Sequence, residues 1–197
     1  QVPGGLRQVS CSKSNVVGVN NAGNIYRWNT STNNWDQMPG GLSWVSCADD
    51  GAIWGVNAAG DIYNWTGTTW NKVPGGLCQI SCGSHSHVWG VNQSGHIYQY
   101  NGSGWDRRDG GLSCLSVGKD GSVWGVNSSG NIYRWNGCGW TQIPGQLSHI
   151  SCHKANKVVG VNAQNQIYKW SQKSNTWKLL PGGLSTISVM NCKGRCR

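Results

Sequence analysis

The chain has 197 residues, a formal net charge of +9, 37% hydrophobic and 12% charged residues, 30 Gly, 13 Trp and no Phe. So few charges exclude a scaffold of amphipathic helices with charged outer faces, and apolar residues at regular strand-like spacing exclude a disordered chain. No apolar run approaches the ~20 residues of a membrane-spanning helix, so no membrane insertion is expected.

The chain repeats itself, and its elements follow in the same order each time. The first unit opens at Pro3. LRQVSC at 6–11 predicts a strand, VVGVN at 16–20 a second, IYRWN at 25–29 a third, and Trp35 starts a short fourth. The second unit opens at Pro39, with LSWVSC at 42–47, IWGVN at 53–57, IYNW at 62–65 and Trp70. The third opens at Pro74, with LCQISC at 77–82, VWGVN at 88–92, IYQY at 97–100 and Trp105. The fourth opens at Asp109, with LSCLSV at 112–117, VWGVN at 123–127, IYRW at 132–135 and Trp140. The fifth opens at Pro144, with LSHISC at 147–152, VVGVN at 158–162, IYKW at 167–170 and Trp177. From Pro181 the sequence LSTISV supplies a sixth first strand and little else. Segments such as ADDGA, GKDGS and NSSGN have the composition of tight hairpin turns.

A period of 35 to 37 residues with four short strands per unit predicts an all-β fold, a β-propeller forming one domain over 1–197. The repeats are 3–38, 39–73, 74–108, 109–143 and 144–180, with a partial sixth at 181–197. Residue supply favours five blades plus an extra closing strand; a sixth blade assembled from the tail is the alternative. Stacking buries blade faces that no single unit could bury, and the recurrent Trp and Tyr are expected between the sheets.

The nine Cys predict an oxidising compartment, and an opening at Gln1 without Met fits a processed, secreted protein. Cys11, Cys47, Cys82 and Cys152 share one place in the first strand and are expected to be unbridged. Cys78, Cys114, Cys138, Cys192 and Cys196 fall off the pattern and are disulfide candidates, a tail bridge serving to pin the ring closed. The odd total leaves a thiol free or intermolecular, so an oligomer stays open. Five Asn-x-Ser/Thr sequons, at Asn29, Asn64, Asn92, Asn101 and Asn127, permit glycosylation.

The recurring (V/I)PGxL, then (V/I)S, then WGVNxxxxIY pattern resembles the tectonin-repeat lectins, a group that includes fish-egg lectins, and the resemblance runs through the whole chain. It implies a β-propeller, secretion, and binding of N-acetylglucosamine-type sugars or bacterial lipopolysaccharide in innate defence or in agglutination at egg and microbial surfaces. Propellers of that family commonly have six blades, from which the short last unit departs. Repeat 4 departs with Asp109 and Val117, and repeats 1 and 5 with Val17 and Val159 in place of Trp.

Sugars offer apolar C–H faces to aromatic rings and hydroxyls to amides. The fourth-strand Trp35, Trp70, Trp105, Trp140 and Trp177 follow variable polar loops and are candidates for stacking, with inter-blade packing as the other reading. The Asn of GVN (Asn20, Asn57, Asn92, Asn127, Asn162) either meets sugar or closes an Asx-type turn. The residue before Ile-Tyr (Asn24, Asp61, His96, Asn131, Gln166) is polar in every unit and completes the candidate set. Trp28, Trp65, Trp135, Trp170 and Tyr100 of the third strand could also stack on a sugar ring, with inter-blade packing the favoured reading, and Trp54, Trp89 and Trp124 of the second read as core. Several like sites would gain avidity on a repetitive surface.

Catalysis finds no supporting motif. The adjacent carboxylates Asp49 and Asp50 lie in a turn, there is no Glu, and no cofactor is implied. His85 and His87, or His149 with Cys152 and His153, lack metal-site spacing, so no metal is expected. The basic residues are scattered, which argues against nucleic acid. A protein-binding propeller without a sugar site is the competing function.

Overall fold

The computed structural model describes residues 4–190, and among these there is no helix. Blade 1 comprises β1 (Gln8–Cys11), β2 (Val16–Val19), β3 (Asn24–Asn29) and β4 (Asn34–Gly41). Blade 2 comprises β5 (Trp44–Cys47), β6 (Ile53–Val56), β7 (Ile62–Trp65) and β8 (Trp70–Val73). Blade 3 comprises β9 (Gln79–Cys82), β10 (Val88–Val91), β11 (Ile97–Tyr100) and β12 (Trp105–Arg108). Blade 4 comprises β13 (Cys114–Val117), β14 (Val123–Val126), β15 (Asn131–Trp135) and β16 (Trp140–Gln146). Blade 5 comprises β17 (His149–Lys154), β18 (Lys157–Val161), β19 (Gln166–Ser171) and β20 (Thr176–Gly183). Each is an antiparallel meander in chain order, and together they form the expected five-bladed propeller.

The innermost strands β1, β5, β9, β13 and β17 stand side by side around the axis. Serine stitches them. Ser10 Oγ accepts from Cys47 N at 3.1 Å, Ser46 Oγ from Cys82 N at 3.0 Å, Ser81 Oγ from Val117 N at 3.0 Å and Ser116 Oγ from Cys152 N at 2.8 Å. The tail continues the pattern: Ser151 Oγ accepts from Val189 N at 3.0 Å, and Ser188 Oγ from Cys11 N at 3.3 Å. Segment 185–190 therefore holds a sixth place in the inner ring and closes it, as the expected extra strand, with no second to fourth strands around it among the described residues.

The core lies between blades. Val17, Val56, Val91, Val126, Ile62, Ile97 and Ile132 are wholly buried. The Leu of each PGxL lies on the Gly of the second strand, where a Cβ would overlap it, as Leu112 on Gly125. Leu42, Leu77, Leu112 and Leu147 are each 3% exposed, whereas Leu184, which has no such strand to cover, is 44% exposed. Indoles fill the wider gaps. Trp124 of blade 4 meets Trp170 and Trp177 of blade 5 at centroid distances of 5.4 and 6.1 Å; Trp89 meets Trp135 and Trp140 at 5.4 and 6.2 Å, and Trp54 meets Tyr100 and Trp105 at 5.0 and 6.2 Å. Edge-to-face geometry of this kind adds about 0.5–1.5 kcal/mol per pair beyond area burial.

Cys47, Cys82, Cys114 and Cys152 are buried thiols and Cys78 and Cys138 exposed ones, none of them bridged. The three off-pattern cysteines among the described residues thus form no disulfide with one another; Cys192 and Cys196, and with them the tail bridge, lie outside the described residues.

Candidate functional site

The turns between second and third strands gather on one face. In each, the GVN asparagine closes the turn. Asn127 Oδ1 accepts from Ser129 N and Asn131 N at 3.1 and 2.9 Å, and Asn162 Oδ1 from Gln164 N and Gln166 N at 3.1 and 2.9 Å. Asn20 and Asn92 do the same, and Asn57 Oδ1 accepts from Asp61 N. The turn also receives the next unit: Leu147 N donates to Gly130 O at 3.0 Å, and Leu112 N to Gly95 O at 3.0 Å. The PGxL links are thereby laid as floors between neighbouring turns.

Two pockets result. One, of about 550 Å³, lies between blades 4 and 5, with Asn127–Ser129 on one wall, Gln146–Ser148 as floor, and Asn162, Gln164, Tyr168 and Trp177 opposite. The other, of about 450 Å³, lies between blades 3 and 4, walled by Asn92–Gly95 and by Asn127 and Ser128, over Gly111–Ser113. Asn127, Ser128 and Ser113 line both. Neither lining contains Asp, Lys, Arg or His. Amides, hydroxyls, backbone edges, in the larger pocket two aromatic rings, and in the smaller the Cys78 thiol are what a ligand meets.

The candidate residues separate here. Trp177, Asn127 and Asn162 meet at the larger pocket, and Asn92 joins Asn127 at the smaller. Trp70, Trp105, Trp140 and Trp177 each give the indole N–H to the carbonyl of the residue that opens their own repeat, Pro39, Pro74, Asp109 and Pro144 respectively, over 2.8–3.0 Å, and each of these lies in or just beyond the last strand of the preceding blade. The inter-blade tie takes the N–H and leaves each ring half-buried. Trp35 is also half-buried and stands beside Gly4. Asn20 and Asn57 line neither pocket, nor do the residues preceding Ile-Tyr.

Of that last set, Gln166 Oε1 accepts from Asn162 Nδ2 at 2.8 Å and Tyr168 Oη at 3.2 Å. Asp61 pairs with Lys72 Nζ at 2.9 Å and accepts from Asn57 Nδ2, and these two bonds hold its carboxyl below the ordinary value. His96 Nδ1 lies 3.5 Å from Asn92 Nδ2. Asn24 and Asn131 hold the same place in their turns, each backbone N–H bonded to its GVN asparagine. The pocket residues that sequence reasoning missed, Ser128, Ser129 and Gln164, occupy the variable pair after GVN, which reads NA, AA, QS, SS and AQ down the repeats.

The opposite face has a structural chemistry. Asp49 Oδ1 accepts from Lys13 N at 2.8 Å and Asp50 Oδ2 from His85 N at 2.7 Å, each tying one blade to the next. Burial raises the Asp49 pKa, but the bonds from Lys13 N and Lys119 outweigh it and hold the carboxyl low. His149 and His153 lie at different levels, His149 lining the axial channel and His153 its far end. Among the described residues no three His, Cys or Asp side chains gather to hold a metal ion.

Five up-and-down blades around an axis, with like pockets between neighbours, define a β-propeller of tandem repeats. The tectonin domain model matches residues 5–101 and 85–195, and the chain belongs to the tectonin family. Tectonin-1 of Physarum polycephalum is 40% identical over 55 residues, which is 28% of this chain and 24% of that protein, so the match spans about a quarter of the relative's length. A solved chain described as YCF48 bound to D1 peptide superposes with a TM-score of 0.61 at 16% identity, over 89% of this chain and 67% of that one. That likeness is one of fold.

Proposed function

We propose that the protein is a lectin that takes neutral, N-acetylglucosamine-type sugars in the pockets between its blades. The observation that carries this reading is the chemistry of those linings: aromatic edge, amide and hydroxyl, with no charged side chain. A pyranose can lay a C–H face on Trp177 or Tyr168, and its hydroxyls and acetamide can bond Asn162, Gln146 and Gln164. Pockets of about 550 and 450 Å³ lie within the size range of small-molecule sites and exceed one monosaccharide. Sharing Asn127 places two sites side by side, so a polymeric glycan can span both and gain avidity. The net charge of +9 lies outside these pockets and suits phosphate-bearing surfaces such as lipopolysaccharide. We place the protein outside the cell on this reading, acting in microbial defence or surface agglutination. The family is generally a binding family, and the pockets hold no acid–base pair for hydrolysis.

The test is retention on N-acetylglucosamine-agarose with elution by the free sugar, and calorimetry on Gln146→Ala and Gln164→Ala. Both residues line the pocket and, among the described residues, neither side chain makes a hydrogen bond, so affinity should fall several-fold with stability unchanged. Absence of binding across a glycan array by a folded sample would overturn the reading. A propeller that binds protein is the second reading, favoured by the peptide bound to the YCF48 chain. A partner that survives both Gln substitutions in the absence of sugar binding would select it.

A further inference from the structure

The axial channel has a composition that neither the blades nor the inter-blade pockets explain. It is a cavity of about 320 Å³ to which all six inner segments contribute, including Ser10, Ser46, Ser81, Ser116, Ser151 and Ser188. Each of these oxygens already accepts a backbone N–H from the next segment, as described above. A serine hydroxyl has one proton to give as well as lone pairs to offer. Among the described residues, none of the six gives that proton to an oxygen or nitrogen acceptor; Ser10 Oγ and Ser46 Oγ also meet the Cys47 and Cys82 thiols, at 3.6 and 3.5 Å. The hydroxyls are held in the channel lining by their inter-strand bonds, so their protons are available to whatever occupies the axis.

The neighbouring glutamine amides do not compete for these protons. Gln8 spends both ends of its amide on Val45, through Nε2 to O at 2.9 Å and Oε1 from N at 3.0 Å. Gln79 does the same with Leu115 at 2.8 and 3.3 Å. The channel lining contains no carboxylate, and its one strongly basic side chain is the guanidinium of Arg7, which also donates to Ser43 O. Trp44 and His149 face each other at a centroid distance of 6.2 Å and narrow the passage. Burial lowers the His149 pKa and so disfavours the charged imidazolium. The far end is stopped by Lys119, whose Nζ meets Asp49 Oδ2 at 3.2 Å, neutralising that carboxylate, and whose N–H bonds His153 O at 2.9 Å.

A narrow cup with a ring of hydroxyl donors, a positive mouth and no negative wall selects for a small acceptor of negative charge. Cations are disfavoured, because one lone pair of each serine oxygen is already engaged and no carboxylate lines the cup. Sugars are disfavoured by depth, since Ser46, Ser81 and Ser151 are only 7–8% exposed. We propose that the serine collar binds a small inorganic anion of halide size on the propeller axis, and that this anion helps to lock the ring. Hydrogen bonds to an ion exceed neutral ones in strength, and several donors converge here. The inference is independent of the sugar reading.

Bromide is the probe. Crystals of the full chain in sodium bromide should show an anomalous peak on the axis within hydrogen-bond distance of the serine hydroxyls. In solution, chloride or bromide should raise the melting temperature by roughly 2–4 °C over methanesulfonate at equal ionic strength, and the rise should saturate. Ser46→Ala with Ser151→Ala should abolish the difference between salts. If that variant fails to fold, the salt comparison on the unaltered chain decides. Water alone on the axis, equal melting in all three salts, or a bromide peak without any shift in solution would each overturn the proposal.

Discussion

Cysteine is used here as a small apolar residue. Burial raises the Cys47 thiol to about 11 and the Cys114 thiol to about 11, and pushes Cys82 and Cys152 higher still. A thiol that cannot ionise is a poor nucleophile. Site-resolved alkylation of the native protein at pH 8 should therefore modify Cys78 and Cys138, the exposed pair. Cys47, Cys82, Cys114 and Cys152 should react only after denaturation. Native labelling of Cys82, which burial encloses completely, would mean that the inner ring opens readily. The same scale explains one of two sequence departures, that of Val159, and leaves Val17 without a structural explanation. Trp54, Trp89 and Trp124 each insert against an aromatic pair on the following blade. Val159, in blade 5, has no such pair after it among the described residues, and valine leaves no indole stranded. Val17 in blade 1 instead packs beside Trp65 and Trp70, which contact each other at 5.1 Å.

At the scale of the element, the hairpin from second to third strand carries both the fold and the candidate site. Asn127→Ala removes two accepted backbone bonds and should cost about 1–2 kcal/mol in urea denaturation. Asn57→Ala removes the bond from Asp61 N and the contact to Asp61 Oδ2, a loss of the same order. Only Asn127 lines the two pockets, so N-acetylglucosamine affinity by calorimetry should fall for Asn127→Ala and hold for Asn57→Ala. Equal affinity loss in both would mean that the turns act on binding only through stability. The Asx turn was legible in the sequence because it is local: an asparagine and its donors lie two and four residues apart. The strands were legible from their period of two. The partner of each fourth-strand indole was not, since Trp105 finds Pro74 O across 31 residues, just beyond the last strand of the preceding blade. Nor were the pockets, because their walls belong to successive units and their specific residues are the variable pair rather than the repeated words.

At the scale of the molecule, the inner ring has six members and the outer structure five blades. The consequence is visible at Val9, which is 39% exposed where Val45, Ile80, Leu115 and Ile150 are at most 1% exposed. One segment, 185–190, spans from blade 5 to blade 1 and shields only the innermost layer. Sequence length suggested a closing strand, but what makes it close is the serine shared by all six LxxxSx units, which a reading focused on Trp and Asn passes over. If closure depends on that ladder, its last two rungs should matter as much as the internal ones. Val189→Pro deletes the N–H that Ser151 Oγ accepts, and Ser188→Ala deletes the acceptor of Cys11 N. Each should cost about 1–3 kcal/mol, comparable to Ser116→Ala inside the ring, because each leaves a polar group in the ring without its bond. Hydrogen exchange at Cys11 should accelerate in Ser188→Ala together with exchange across blades 1 and 5, since a propeller with one open seam can fray from both lips. If Val189→Pro and Ser188→Ala melt like the unaltered chain while Ser116→Ala is destabilised, the tail is a passenger on a ring held shut by other contacts.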